Sequence, residues 1–274
     1  MGAEGGPRAL VRLHYLGEHI DPEYRNGRVG YNRGVAIVDP YRYAGITLFG
    51  RVQKFVENKF GDIFKLINNI TSIATTTLDL EPAQVRQLVG IGKGAKTFAS
   101  GLDAMGLPGN VRELISNPSP VTFCAAVDSS VKVYKFGKGM NFWAAAPFDA
   151  DIHTVQNLSG IVTSSSKTYE DITGLIKLYN KWPQPGAPEL NLVVHNNRWR
   201  GGMVSLIKNI ARIAINVIAA AGAIFAMAVW APVVVGLATV GTVGSIVSYF
   251  FKQNADILEA NARIAELENH RIVV

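Results

Sequence analysis

The chain has 274 residues, 48% hydrophobic and only 18% charged, with a formal charge of +6. That length allows one or two domains, and the hydrophobic share argues against wholesale disorder. From Ile213 to Phe251, 39 consecutive residues lack Asp, Glu, Lys and Arg, about twice what a bilayer crossing needs, which argues against a plain cytosolic enzyme.

Residues 1–40 are rich in Gly, Pro and Arg, with turn signals at Asp21-Pro22, Asn26-Gly27 and Asp39-Pro40. The short apolar runs Ala9 to Leu16 and Val35 to Val38 are compatible with brief strands. The N-terminus has no apolar h-region, so no cleaved signal peptide is expected. Gly6 stands where a myristoylation signal needs Ser or Thr.

The next segment has a clear period. Phe49, Val52, Val56, Phe60, Ile63, Ile67 and Ile70 mark one helical face, with Arg51, Lys54, Lys59 and Lys65 largely off it. Such a stripe is read as the core face of a bundle helix, with a helix lying on a membrane surface as the alternative. Asp79 or Glu81 followed by Pro82 reads as the start of a second helix, running to about Ala104 and stopped by Gly106 to Gly109. A short helical turn, Val111 to Ile115, precedes the breaker Asn117-Pro118-Ser119-Pro120. Residues 121–146 form an apolar segment carrying Lys132, Lys135 and Lys138. Ile152 to Tyr179 reads as two helices or one kinked helix around Ser164-Ser165-Ser166. Three prolines within Trp182 to Pro188 mark a linker, because proline cannot continue a helix.

Pro232 splits the uncharged run into two legs, Ile213 to Ala231 and Val233 to Phe251. Each is about 28 Å long as a helix, just enough to span a hydrocarbon core. Trp230 and Pro232 form the expected reversal, with the indole at the far interface. Small residues on the two legs predict a close seam: Asn216, Ala219, Gly222 and Ala226 against Gly241, Gly244 and Ser248. Arg198, Arg200, Lys208, Arg212 and Lys252 flank the run and are expected to meet anionic lipid headgroups. Basic flanks on both sides put both termini on the cytosolic side. The Ala/Gly-rich legs also allow a second arrangement, in which a soluble bundle shelters the hairpin until it inserts. The segment from Lys252 to Arg271 reads as a final helix with a thin apolar stripe including Ile257 and Ile264.

No catalytic constellation is present. Gly90 to Thr97 imitates a phosphate loop, but Ala95 separates Gly94 from Lys96 and a helix precedes it. Its alternate glycines instead suggest a weak helix packed close to a neighbour. No two histidines sit i, i+4 on a helix, and Cys124 is alone, so neither a metal site nor a disulfide within the chain is expected. Cofactors are expected to be none. Asn196 to Arg200 is basic and aromatic, yet beside a hairpin lipid is the simpler partner than nucleic acid, and none is expected.

The two legs around a tiny turn resemble the bilobed hydrophobic segment of chlamydial inclusion membrane proteins. That resemblance covers those 39 residues and implies a secreted bacterial protein displayed toward host cytosol and acting through binding. Here about 200 residues precede the hairpin, whereas in that family the long soluble part often follows it. The C-terminal hairpin is also similar to the pore-forming domain of colicins, where a helical bundle shelters an Ala/Gly-rich pair.

The expected protein is mainly α. It comprises an irregular segment (1–40), a helical domain (41–182), a Pro-rich linker with a basic juxtamembrane stretch (183–200), a transmembrane hairpin (201–251) and a short C-terminal helix (252–274). The expected function is a hairpin-anchored membrane protein, not an enzyme, whose N-terminal domain binds an unidentified protein partner in the cytosol. A homo-oligomer is compatible with this, and a pore-forming or translocator protein is the alternative.

Overall fold

The structure, a computed structural model, describes residues 48–183, 189–225 and 231–272. These residues are helical apart from short connections and contain no strand: α1 (Leu48–Thr77), α2 (Pro82–Ala104), α3 (Leu107–Ser116), α4 (Pro120–Gly139), α5 (Asp149–Asn180), α6 (Glu189–Ile224) and α7 (Ala231–Ile272). The mainly α fold is therefore as expected, with the two apolar helices α6 and α7 following the helical region. The strand-compatible runs at residues 9–16 and 35–38 lie outside the described residues.

Local chemistry sets most of the helix ends. Before α2, Gln84 accepts a hydrogen bond from the Glu81 backbone N–H at 3.1 Å, with Pro82 in the first turn. Before α4, Ser119 accepts from Thr122 N at 3.1 Å while Ser119 N donates to the Thr122 hydroxyl at 2.9 Å. The α4 helix ends at Gly139, short of the apolar segment's limit at residue 146. Asn141 then takes a left-handed backbone (φ 59°), a conformation asparagine tolerates better than most residues and one that terminates the turn. The α5 helix runs unbroken for 32 residues through the serine triplet. The threonines flanking the triplet bond back to the preceding turn, Thr163 to Ser159 O at 3.1 Å and Thr168 to Ser164 O at 2.9 Å, as helical hydroxyls can. The same device carries α1 through its Thr-rich end, where Thr77 donates to Ile73 O at 2.8 Å.

The apolar hairpin is built of longer helices than its uncharged legs. The α6 helix begins at Glu189, immediately after Pro188, so the expected juxtamembrane stretch is already helical. It ends at Ile224 rather than Ala231. Two antiparallel helices stand about 8–10 Å apart, a gap one proline cannot bridge, and the connection takes the residues between Ile224 and Ala231. Pro232 falls in the first turn of α7, where its missing N–H costs nothing. Trp230 and Ala226 lie outside the described residues. Lys252 to Asp256 contains no Gly or Pro, and α7 runs without interruption through the expected start of a separate C-terminal helix.

The chain divides into two compact units. The first comprises residues 1–51, 183–197 and 252–274. Within its described parts, Ala255, Ile257 and Ala260 of α7 are buried, as are His195, Asn197 and Gln253. Ile257 belongs to the apolar stripe expected of the C-terminal helix.

The second unit, residues 52–182 and 198–251, holds six long helices and the short α3, which packs on α4. Contacts pass from each long helix to the next. Phe64 of α1 stacks on Phe98 of α2 with centroids 5.5 Å apart, and α2 packs along α4. The α4 helix meets α5 through Gln156, which donates to Asp128 at 2.9 Å. Asn209 of α6 donates to Asp171 of α5 at 2.7 Å, and Ser248 of α7 donates to Gly201 O of α6 at 2.7 Å. The cycle closes where Phe55 of α1 stacks on Phe250 of α7, centroids 4.9 Å apart. Neighbours are antiparallel throughout.

Candidate functional site: the polar interior of the bundle

The faces that these helices turn toward one another are small or polar. The buried residues of the second unit include Asn69, Ser129, Ser159, Ser164, Ser205, Asn209, Thr242, Ser245 and Ser248, and its buried apolar residues are mostly alanine. The large apolar side chains stand outside. On α1, Phe60 is 43% and Ile70 53% exposed, with Val52 and Val56 exposed beside them. This corrects the reading of the α1 stripe as a core face. On α5 the exposed residues are Val155, Leu158, Val162, Tyr169, Ile172, Ile176 and Tyr179, at helical spacing. Met203, Ile207, Ile210 and Val217 of α6 and Val233, Val240, Val243 and Phe250 of α7 repeat the pattern. A water-soluble domain buries its large aliphatic residues and solvates its polar ones; these apolar stripes depart from that, while Arg86, Lys93 and Lys96 of α2 and Lys167 and Glu170 of α5 are exposed.

The polar faces are joined by charge. Lys65 of α1 pairs with Asp103 of α2 at 2.8 Å and lies 3.8 Å from Asp62. Asp103 also faces Lys132 of α4 at 3.6 Å, and Lys132 pairs with Asp128 at 2.7 Å. On the α7 side, Ser245 donates to Asp62 at 2.7 Å and accepts from Lys59 at 3.0 Å. Asn69 donates to Thr242 at 3.3 Å. Lys135 donates to Gln156, the residue that also holds Asp128. Each acid in this network is shared, and its partners come from different helices. Asn209 is 1% exposed, and its Oδ1 has no hydrogen-bond partner in the structure.

The α4–α5 connection closes one end of the bundle. Tyr134 donates to Asp149 at 2.8 Å and accepts from Ala146 N at 2.7 Å, while Lys138 pairs with Asp149 at 2.7 Å. Trp143 Nε1 donates to Tyr134 O at 3.0 Å. Asp149 lies in the first turn of α5, ahead of its apolar stripe. The hydrogen bonds from Lys138 and Tyr134 hold its carboxyl below the usual carboxylate range.

The expected hairpin seam forms with a different register. Gly241, Gly244 and Ser248 do face α6, but opposite Arg212, Lys208 and Gly201. A Cβ at Gly244 would lie 3.1 Å from Lys208 Cβ and 3.5 Å from Val204 O. Gly244→Leu therefore wedges α6 from α7 and is expected to cost about 1–3 kcal/mol, read as a lower unfolding midpoint in mild detergent. Asn216, expected in this seam, instead lies against α5: a Cβ at Gly160 would meet its Nδ2 at 2.4 Å. Ala219 and Gly222 are half-buried. Of the glycines in the phosphate-loop imitation, Gly92 alone makes a close approach, a Cβ there lying 2.6 Å from Thr71 Oγ1 of α1.

The basic residues expected at headgroups are distributed differently. Arg198 and Arg200 lie in the N-terminal half of α6, Arg200 exposed, and Lys252 of α7 is exposed. Lys208 packs beside Gly244. Arg212 lies 12 residues from the end of α6, about 18 Å along its axis, and within electrostatic reach of Asp62, Lys132 and Lys167. Arg212 thus lies by the charge network and Lys208 in the α6–α7 seam, neither at a helix end. Sequence reasoning passed over Asp62, Asp103, Asp128, Lys167 and Asp171 because isolated charges on amphipathic helices read as a solvated face.

No protein-family model, curated protein or solved structure matches this chain. Both α6 and α7 are long and apolar enough to cross a membrane, with 22% and 28% of their most apolar windows buried in the protein. Among the described residues no group of three or more His, Cys, Asp or Glu side chains is placed to hold a metal ion.

Proposed function

We propose that this is an integral membrane protein in which all six long helices of the second unit, not the hairpin alone, lie in the bilayer and enclose a polar path. Its function on this reading is passage or binding of a polar solute, the pore or translocator class of the two expected. The observation that carries it is the exposed apolar stripes of α1, α5, α6 and α7 beside the part-buried charge network of Asp62, Lys65, Asp103, Lys132 and Asp128. Lipid replaces water as the solvent of the apolar faces, and Lys65, Asp103, Lys132 and Asp128 pair within and between helices, as intramembrane charges do in hydrocarbon. The long helices have 20 to 42 residues, so the shortest is about 30 Å, enough to span.

The connections support the same placement. Those between α1 and α2 (78–81), α4 and α5 (140–148) and α6 and α7 (225–230) contain no Lys or Arg. Two of them carry Phe142, Trp143, Phe148, Phe225 and Trp230, residue types that gather at membrane interfaces. The opposite side carries Arg112 and Lys181 in its connections, and the basic chain ends lead into it. By the positive-inside rule that side is cytosolic, and an even number of crossings leaves both ends of the bundle there.

The hairpin-anchored interaction protein is a second reading, favoured because only α6 and α7 have apolar, nearly uncharged spanning lengths. A diazirine phospholipid separates the two. After photolysis in proteoliposomes, label is expected on peptides from α1 and α5 as well as α6 and α7. Label confined to α6 and α7 would exclude the six-helix reading and leave the anchor.

A further inference from the structure

Asp62, Asp103, Asp128 and Asp149 are each paired with a lysine. Asp171 of α5 is different, for it forms no ion pair among the described residues. It accepts a hydrogen bond from Asn209 Nδ2 of α6 at 2.7 Å, and a carboxylate that accepts from a neutral amide keeps its charge. Lys167, one turn earlier on α5, is exposed and within electrostatic reach of Glu170 and Asp128. Arg212, one turn after Asn209, is within reach of Asp62. An ionised carboxylate between helices in lipid is costly without a counter-charge.

Its partner carries a second unmet demand. Asn209 is 1% exposed, and with Nδ2 turned to Asp171 its Oδ1 is a buried acceptor without a hydrogen-bond partner. Exchanging the two amide atoms removes nothing, since it would set oxygen against carboxylate. Ser205, one turn before Asn209 and 4% exposed, adds a hydroxyl on the same face of α6. Oxygen acceptors thus gather between α5 and α6. A water molecule would pair Asn209 Oδ1 but leave the charge of Asp171; a cation answers both.

We propose that Asp171 and Asn209 are the core of a sodium site between α5 and α6, which makes a small monovalent cation the species that the bundle takes up. The inference rests on the membrane-embedded bundle proposed above and adds the chemistry of what enters it. Carboxylate and amide oxygens suit a hard cation. One carboxylate balances one positive charge, and among the described residues no further acid, histidine or cysteine joins it in a group fit for a metal ion of higher charge.

The test uses the full chain in nanodiscs of zwitterionic lipid, with sodium as the probe. Broadening of the sodium-23 resonance beyond that of empty nanodiscs is expected, as is a higher thermal midpoint in sodium chloride than in choline chloride of equal ionic strength, because a bound ion stabilises the folded state. Asp171→Asn removes the charge yet can still accept from Asn209. It is expected to weaken apparent sodium affinity about tenfold or more, the order of a lost interaction with a charged group. Asp151→Asn, at an exposed position in the first turn of α5, should leave affinity unchanged. Broadening equal to that of empty nanodiscs, or equal in Asp171→Asn and the unsubstituted protein, would overturn the site. If Asp171→Asn does not fold, the unsubstituted protein still decides, since equal midpoints in the two salts would overturn it. A midpoint that responds to acidification but not to sodium would also overturn it and give the site to a proton. Lipid labelling reads embedding independently, so such a failure is separable from failure of the six-helix reading.

Discussion

Ile172→Asp, on the outward face of α5, is expected to destabilise the inserted protein by about 3 kcal/mol and to remove most of it from the carbonate-resistant membrane fraction. The magnitude follows from placing a carboxylate against lipid near the middle of a spanning helix. On a face bathed in water the same change would be nearly neutral, since surface substitutions usually fall within about 0.5 kcal/mol. Ile172 is exposed in the structure and lies between Tyr169 and Ile176, also exposed, so little packing is lost and the solvent alone decides. An unchanged membrane fraction and unfolding midpoint would mean that this stripe does not face lipid.

Asp103→Leu is expected to be the most damaging change inside the bundle. The carboxylate lies 2.8 Å from Lys65 and 3.6 Å from Lys132, two lysines on different helices. Removing one member of a desolvated pair typically costs 3–5 kcal/mol. Here Lys65 keeps Asp62 and Lys132 keeps Asp128, and all these side chains retain some accessibility, so the expected loss is about 2 kcal/mol. The companion change Lys65→Met should recover roughly half of it, because the uncompensated charge goes with it. Thermal unfolding in nanodiscs reads both. Equal destabilisation by Asp103→Leu with and without Lys65→Met would mean that the pair is not coupled.

The helices were legible wherever hydrophobic period and breakers agreed. The α1 stripe and the Pro82 start both fall where local chemistry puts them; the Pro-rich linker lies largely outside the described residues. Which way the α1 stripe faces was not legible, because periodicity gives the phase of an apolar face and not the solvent it meets. That information lies in contacts between distant residues, such as Lys59 with Ser245, 186 positions apart. The hairpin seam shows the same limit. Small residues at Gly241, Gly244 and Ser248 marked the correct face of α7, but spacing cannot set register against α6. The serine triplet in α5 misled because serines on their own do not break a helix that local breakers leave intact. The polar interior left one signal in the sequence. Lys59, Asp62, Lys65 and Asn69 recur at helical spacing with both signs present, a narrow polar stripe opposite a wide apolar one. On an amphipathic helix that pattern fits an inward polar face in lipid as well as an outward one in water.

Collisional accessibility of single spin labels along α1 in proteoliposomes, in a Cys124→Ser background, reads the solvent of its apolar face. Labels at Val56, Phe60 and Ile70 are expected to collide mainly with oxygen, which concentrates in lipid, and labels at Asp62 and Asn69 with a water-soluble nickel chelate. Nickel accessibility at Val56, Phe60 and Ile70 equal to that of a free chain in water would contradict a bundle with its apolar faces in the membrane.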